Sequence, residues 1–231
     1  MKFLRACALG AALSLGLSGA GEATTVTVSA VSPSNVFRDA AGQNGWYQTA
    51  SYTLNGIART AYAGLFRLKQ TTVGGMVTTF VGVCLEPLET LRLPRQYDVG
   101  TPLSSFVIGR LGALLSNALP MVGNSQTAAA FQIAAWEIAN EGQGGLNLGD
   151  GAFRLQNAGT GTRTLAQGWL DLINAGTWSA NNRTTILQAP GTQDLLTDLP
   201  AEVPVPAAGL LMIGGLAGLG LVRRTRRPAH V

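Results

Sequence analysis

The chain has 231 residues and a formal net charge of +4, from 16 basic and 12 acidic residues, with one histidine, His230. Lys2, Arg5 and four arginines near the C-terminus hold 6 of the 16 basic residues, so Ala23 to Glu202 carries 10 basic and 11 acidic residues, a balance of −1. That region has no basic excess for a phosphate backbone, which excludes nucleic acid as a partner, and no histidine, which excludes Ser-His-Asp and Cys-His catalysis and most zinc sites.

Lys2 and Arg5 precede an apolar stretch, Ala6 to Leu17, and small residues follow from Ser18 to Ala23. This order of charge, apolar run and small residues predicts a secretory signal peptide over 1–23, cut after Ala20 or Ala23; the alternative is a buried first helix. Cleavage removes Cys7 and leaves Cys84 as the one cysteine of an exported chain. A single thiol makes no internal disulfide. It is either an inert buried side chain or a group that reacts with something other than cysteine. Residues 24–200 number 177, enough for one domain with a core of its own.

The first half of that domain reads as strands. Thr24 to Val31 alternates Val26 and Val28 against Thr25 and Thr27. Trp46 to Leu54 places Trp46, Gln48, Ala50, Tyr52 and Leu54 on one side, and Thr60 to Leu68 places Tyr62, Phe66 and Leu68 together. After the turn signal Gly74-Gly75, Met76 to Leu85 alternates over ten residues and contains Cys84.

The period changes beyond Gly100. Thr101-Pro102 is read as opening a helix with Val107, Leu111, Leu114, Leu115 and Ala118 on one face, ended by Pro120. Asn124 or Ser125 caps a second helix that runs to Asn140 and stops at Gly142. Leu165, Trp169, Leu172 and Ile173 mark a third, ended by Gly176. A short strand, Thr184 to Leu187, and a turn at Pro190-Gly191 follow. Gly142, Gly144, Gly145, Gly149 and Gly151 read as turn residues of a loop, since no strand and helix flank them as a phosphate-binding loop requires. The expected fold is α+β: an antiparallel β-rich sandwich or barrel body with an inserted helical subdomain.

The second helix is apolar almost all round from Thr127 to Ile138, which predicts burial. Gln132 is the one strongly polar side chain between Gln126 and Glu137. A buried amide without a partner costs roughly 1–3 kcal/mol, so Gln132 needs a partner or a task. Ala128, Ala129 and Ala135 share its side of the helix and leave room for another element to approach. A cysteine thiolate attacking a glutamine amide expels ammonia and leaves a thioester, an activated acyl group that lasts only where water is excluded. Free cysteine titrates near ~8.5, so the fold must supply a base or a donor. Glu86 and Glu137 are nearest in sequence, but both read as solvated surface charges.

At these residues the chain resembles the thioester domains of bacterial surface adhesins. Cys84-Leu85-Glu86-Pro87 matches that family's cysteine with its acidic-Pro step, and Phe131-Gln132-Ile133-Ala134-Ala135-Trp136 matches its Thr-Gln-x-Ala-Ile-Trp motif at Gln, Ala and Trp. Phe131 stands for the Thr and Ala135 for the Ile, and Val83 takes a position where an aromatic residue is frequent, with Phe80 nearby. The resemblance implies a thioester domain over 24–200, with a β-rich and a helical subdomain and a cross-link between Cys84 and Gln132. It also implies a pocket containing Phe80, Glu86, Phe131, Trp136 and Glu137. Gln132 would be acyl donor to an amine on a surface or matrix target, such as a lysine, and Cys84 the leaving thiol. Such a module uses no cofactor or metal, turns over once and is not an enzyme. By analogy with disulfides, closing a loop of roughly 50 residues is worth ~4 kcal/mol.

The C-terminal region, 201–231, carries a second targeting pattern. Val203-Pro204-Val205-Pro206-Ala207 leads into an uncharged run, 207–222, and then Arg223, Arg224, Arg226 and Arg227. The run gives ~24 Å of helix at ~1.5 Å per residue against a ~30 Å bilayer core. It spans when the prolines and arginine stems help at its ends, with the arginines on the cytoplasmic side. This arrangement resembles the PEP-CTERM sorting signals, the VPLPA-CTERM variant most closely. It implies processing by an exosortase-type membrane protease and delivery to the cell envelope or outside; an uncleaved anchor is the alternative.

Two other readings stand beside a covalent adhesin-like module. One is a non-covalent structural protein of the envelope or biofilm matrix with an inert buried Cys84. The other is a cysteine enzyme, which the lack of histidine disfavours. Trp46, Tyr47, Tyr52, Trp169 and Trp178 form either a carbohydrate-binding surface or, as expected here, core packing.

Overall fold

The computed structural model describes residues 25–31, 36–37, 45–72, 75–100, 103–180, 184–197 and 199, all within the unit Ala23–Val203. The expected signal peptide, the C-terminal sorting and membrane segments, the Thr101-Pro102 helix start and Gly74 lie outside the described residues. Among the described residues no helix is long and apolar enough to cross a membrane.

The fold is α+β. Strands β1 (Thr25–Ala30), β4 (Phe66–Thr71), β5 (Val77–Cys84), β6 (Arg95–Gly100), β8 (Thr185–Gln188) and β9 (Leu195–Thr197) close an antiparallel barrel in the order β1-β4-β5-β9-β8-β6. A second sheet has the order β3-β2-β7, from β2 (Tyr47–Leu54), β3 (Ile57–Gly64) and β7 (Phe153–Asn157). Helices α1 (Ser105–Ala118), α2 (Ser125–Glu141) and α3 (Thr162–Asn174) enter the chain between β6 and β8, an insertion into the barrel sequence.

The alternation in β2 places Ala50, Tyr52 and Leu54 in the core, as a half-buried strand requires. Thr60 to Leu68 is not one strand. It breaks at Leu65, so β3 stays in the small sheet while β4 joins the barrel. Tyr62 is 58% exposed, whereas Phe66 and Leu68 are buried. A period-2 pattern reports faces only within one sheet, and the chain changes sheets here. β6, β7 and β9 carried no expectation at all.

Helix α1 starts at Ser104, whose hydroxyl accepts from the Val107 N–H. Pro120 sits in a one-turn 3-10 helix, Leu119–Met121, that extends it. Helix α2 begins as the sequence predicts. The Asn124 side chain accepts from the Thr127 N–H at 2.9 Å, and the Thr127 hydroxyl accepts from the Asn124 N–H at 3.1 Å, a reciprocal capping box. It ends at Gly142, where φ is +60°, a conformation that costs glycine least. Eleven consecutive residues of α2, Ala128 to Ile138, are buried. The small sheet packs on it, α1 and α3 flank it, and the end of β5 meets it. Alanine combines high helix propensity with a side chain small enough for so many neighbours.

Candidate functional site

β5 ends at Cys84 with different partners on its two edges. β9 pairs along one edge, Val83 with Leu196 and Cys84 with Leu195. β4 runs along the other, but its last pair is Phe66 with Gly82. In an antiparallel ladder the N–H and C=O of one residue point the same way, and neighbours alternate. The Leu85 N–H donates to the Asp194 C=O at 3.0 Å, on the β9 side. Cys84 therefore directs its N–H and C=O to the side that β4 has already left.

Gln132 occupies that place. The Cys84 N–H donates to Gln132 Oε1 at 3.0 Å, and Gln132 Nε2 donates to the Cys84 C=O at 2.6 Å. One carboxamide thus completes the ladder as a strand residue would. Cys84 and Gln132 are each 1% exposed. The amide that the sequence singled out as needing a partner has one, and the partner is the backbone of Cys84.

Trp136, one turn beyond Gln132, donates its Nε1–H to Cys84 Sγ at 3.5 Å. The Glu86 backbone N–H also donates to the sulfur. Burial pushes the Cys84 thiol up to about 12; the two donors act against that shift, and the Glu86 and Asp194 carboxylates add to it. The surroundings are apolar and aromatic. Tyr52 stacks on Phe153 at 5.2 Å, and both rings lie within about 6 Å of Trp136. The Tyr52 hydroxyl donates to the Pro87 C=O at 2.9 Å, tying down the segment that follows Cys84.

The other expected pocket residues divide. Glu86 is exposed, and its carboxylate accepts from the Asp194 N–H at 2.9 Å. Phe80 is buried on the Cys84 side of β5, where it packs toward Gly82. Phe131 does not join them: it turns to Trp169 on α3. Glu137 is not a solvated charge but fully buried. It points into the glycine-rich loop, where Oε1 accepts from the Asn147 N–H at 2.6 Å and Oε2 has no partner. Burial, with help from Glu141, raises its carboxyl to about 8. A helix rotates ~100° per residue, so position 137 lies far around α2 from position 132. Of the aromatic set, Tyr52 and Trp169 are core residues and Trp46 and Trp178 pack against the core, while Tyr47 meets the Phe37 and Tyr62 rings. Tyr52 and Phe153 are the site residues that the motifs missed. The pair Phe153 and Leu155, set between Gly151 and Gly159, is a short alternation that signals β7.

The arrangement docks a carboxamide on the backbone of the residue that carries the thiol, and burial keeps that thiol protonated. Gln132 Oε1 accepts from an N–H where a tetrahedral intermediate would develop negative charge. The sulfur has two N–H donors, and Cys84, Gln132 and Trp136 are all buried. Tethering of this kind replaces a bimolecular encounter. Comparisons of the chain with protein-family models, with curated proteins and with solved structures found no match.

Proposed function

We propose that Cys84 and Gln132 form an internal thioester, and that the domain is an exported covalent-binding, adhesin-like module that captures an amine on a surface or matrix target. The observation that carries this reading is the docking of the Gln132 carboxamide on the Cys84 backbone inside a buried site with donors for the sulfur. In formation, Sγ bonds to Cδ of Gln132, the Cδ–Nε2 bond breaks, and the thiol proton leaves with the amide nitrogen as ammonia. In capture, a neutral amine adds to Cδ, the Cδ–Sγ bond breaks, and the amine's proton returns the sulfur to a thiol. One acyl group is consumed per molecule, so the module turns over once. The signal peptide and the exosortase-type sorting signal complete the proposal by placing it at the cell envelope or outside.

A non-covalent structural role is the second reading, favoured by the fact that both ends of the Gln132 amide are satisfied by hydrogen bonds alone. Intact mass decides between them. The thioester form is lighter than its sequence by one ammonia, and methylamine adds to Gln132 and frees one titratable thiol. Cys84→Ala keeps the backbone groups that hold Gln132, so it should fold, show its full sequence mass and ignore methylamine. Full sequence mass with an immediately titratable thiol in fresh wild-type protein would leave the structural role standing.

A further inference from the structure

The small sheet has two faces of different chemistry. β2 turns Ala50, Tyr52 and Leu54 to the core, where Tyr52 meets Trp136 of α2, so Thr49, Ser51 and Thr53 stand on the opposite face. The register extends that face across all three strands. Asn157, Ser51 and Thr60 form one row, and Arg154, Thr53 and Ala58 form another. Ser51 Oγ and Thr60 Oγ1 lie 3.2 Å apart, as same-face neighbours do. Thr49, Ala58, Thr60 and Asn157 are exposed, so solvent reaches the face.

Two features set it apart from an ordinary solvated surface. Tyr62, opposite Thr49, is 58% exposed. Two rings hold it edge-on, Tyr47 at 4.8 Å and Phe37 at 6.2 Å. A ring fixed in this way has little rotamer freedom left to lose on binding. The second feature is Arg154. β2, β3 and β7 contain no aspartate or glutamate, and among the described residues no hydrogen bond or ion pair holds the Arg154 side chain. Its Nε and the facing Thr53 Oγ1 are both buried without a partner, so the guanidinium stem lies along the sheet. Folded proteins leave few such atoms, and an unpaired guanidinium is a ready fork for a carboxylate.

We infer that this face binds an acidic polysaccharide, a chain of uronate-type sugars. A pyranose ring carries C–H groups on its faces and hydroxyls around its rim. The C–H groups pack on Tyr62, the hydroxyls exchange hydrogen bonds with Ser51, Thr60 and Asn157, and a uronate carboxylate takes the Arg154 fork. Tyr62 and Arg154 stand two strands and four residues apart, about 16 Å at the usual strand spacing and rise. The ligand is therefore a chain of several sugars. A protein interface needs a core of large apolar side chains, and this face offers one exposed ring. One positive charge is too few for a nucleic acid. The inference is independent of the thioester.

The test is affinity electrophoresis of the full chain in native gels with polygalacturonate, neutral dextran or polyglutamate, and with free galacturonate as competitor. Polygalacturonate should retard the chain at least about fivefold more strongly than either other polymer, the scale of one charge-assisted hydrogen bond, and the single sugar should compete poorly. Arg154→Gln should weaken polygalacturonate binding by about tenfold and Tyr62→Ala by about fivefold. Ile57→Ala, also exposed on β3 but of opposite parity, should bind as wild type, and so should Cys84→Ala. Thermal melts check that Arg154→Gln is folded; Tyr62 is exposed, so its variant carries the test in any case. No retardation, or retardation equal with polyglutamate and unchanged in both variants, overturns the face. Self-association of the chain that Tyr62→Ala abolishes makes the face a contact between copies and overturns it too. None of these outcomes moves the intact mass, so the thioester reading stands or falls separately.

Discussion

Trp136 has two roles at once. Its ring closes an aromatic group with Tyr52 and Phe153, and its Nε1–H is a donor aimed at sulfur. In the proposed capture, where an amine displaces the sulfur, negative charge grows on Sγ, and this donor meets it without reorganisation. Trp136→Phe keeps an aromatic ring and removes the N–H. We expect methylamine to release the thiol about fivefold more slowly, the equivalent of one net hydrogen bond of ~1 kcal/mol. An unchanged rate means the donor has no part in the reaction. Tyr52 acts one step further out, through the Pro87 carbonyl. Tyr52→Phe should cost ~1 kcal/mol in a urea titration and speed hydrolysis of the thioester, because the segment covering the sulfur loses its tie.

Helix α2 joins two buried polar groups with opposite consequences. Gln132 has a partner at each end of its amide, whereas Glu137 buries a carboxylate with one free oxygen. Below about pH 4.5 this carboxyl is protonated in folded and unfolded chains alike, and it does not affect stability. Between there and about 8 the folded protein keeps a proton that the unfolded chain has released, so stability falls as pH rises. Above about 8 the penalty is fully present. Glu137→Gln retains an acceptor for the Asn147 N–H and removes the charge. Thermal melts at pH 5 and pH 9 should therefore differ less for the variant than for wild type, with the gain on the alkaline side. Much of α2 was legible in advance: Asn124, the alanine run, Gln132 and Gly142 are local signals, and caps and period act within one helix. The burial of Glu137 was not, because a charge next to a helix end reads as solvated until the loop folding over it is known.

The barrel, the small sheet and the helices make one core, and the proposed cross-link ties two of its parts. Cys84 and Gln132 are 48 positions apart. A bond between them restricts the unfolded chain as a disulfide would, at ~4 kcal/mol by the loop-entropy relation. For a domain of this size 1 kcal/mol moves the midpoint by roughly 2–4 °C. Opening the thioester with methylamine should thus lower Tm by about 10 °C, read by calorimetry on the same preparation before and after treatment. A shift within ~2 °C means the bond, where it forms, carries no mechanical load.

By itself the sequence determined the α+β class, the β2 and β5 strands, all three helices, and Gln132 as the buried amide that needs a partner. Each depends on local patterns: alternation, capping, and an amide too polar for its helix. Only the tertiary structure decided where the chain changes sheets at Leu65, and that β4 stops short of Cys84. It also showed that Gln132 fills the place β4 leaves, with Tyr52 and Phe153 arriving from a separate sheet. These depend on which strand edges lie side by side, and a register between distant segments is set by the packed core as a whole.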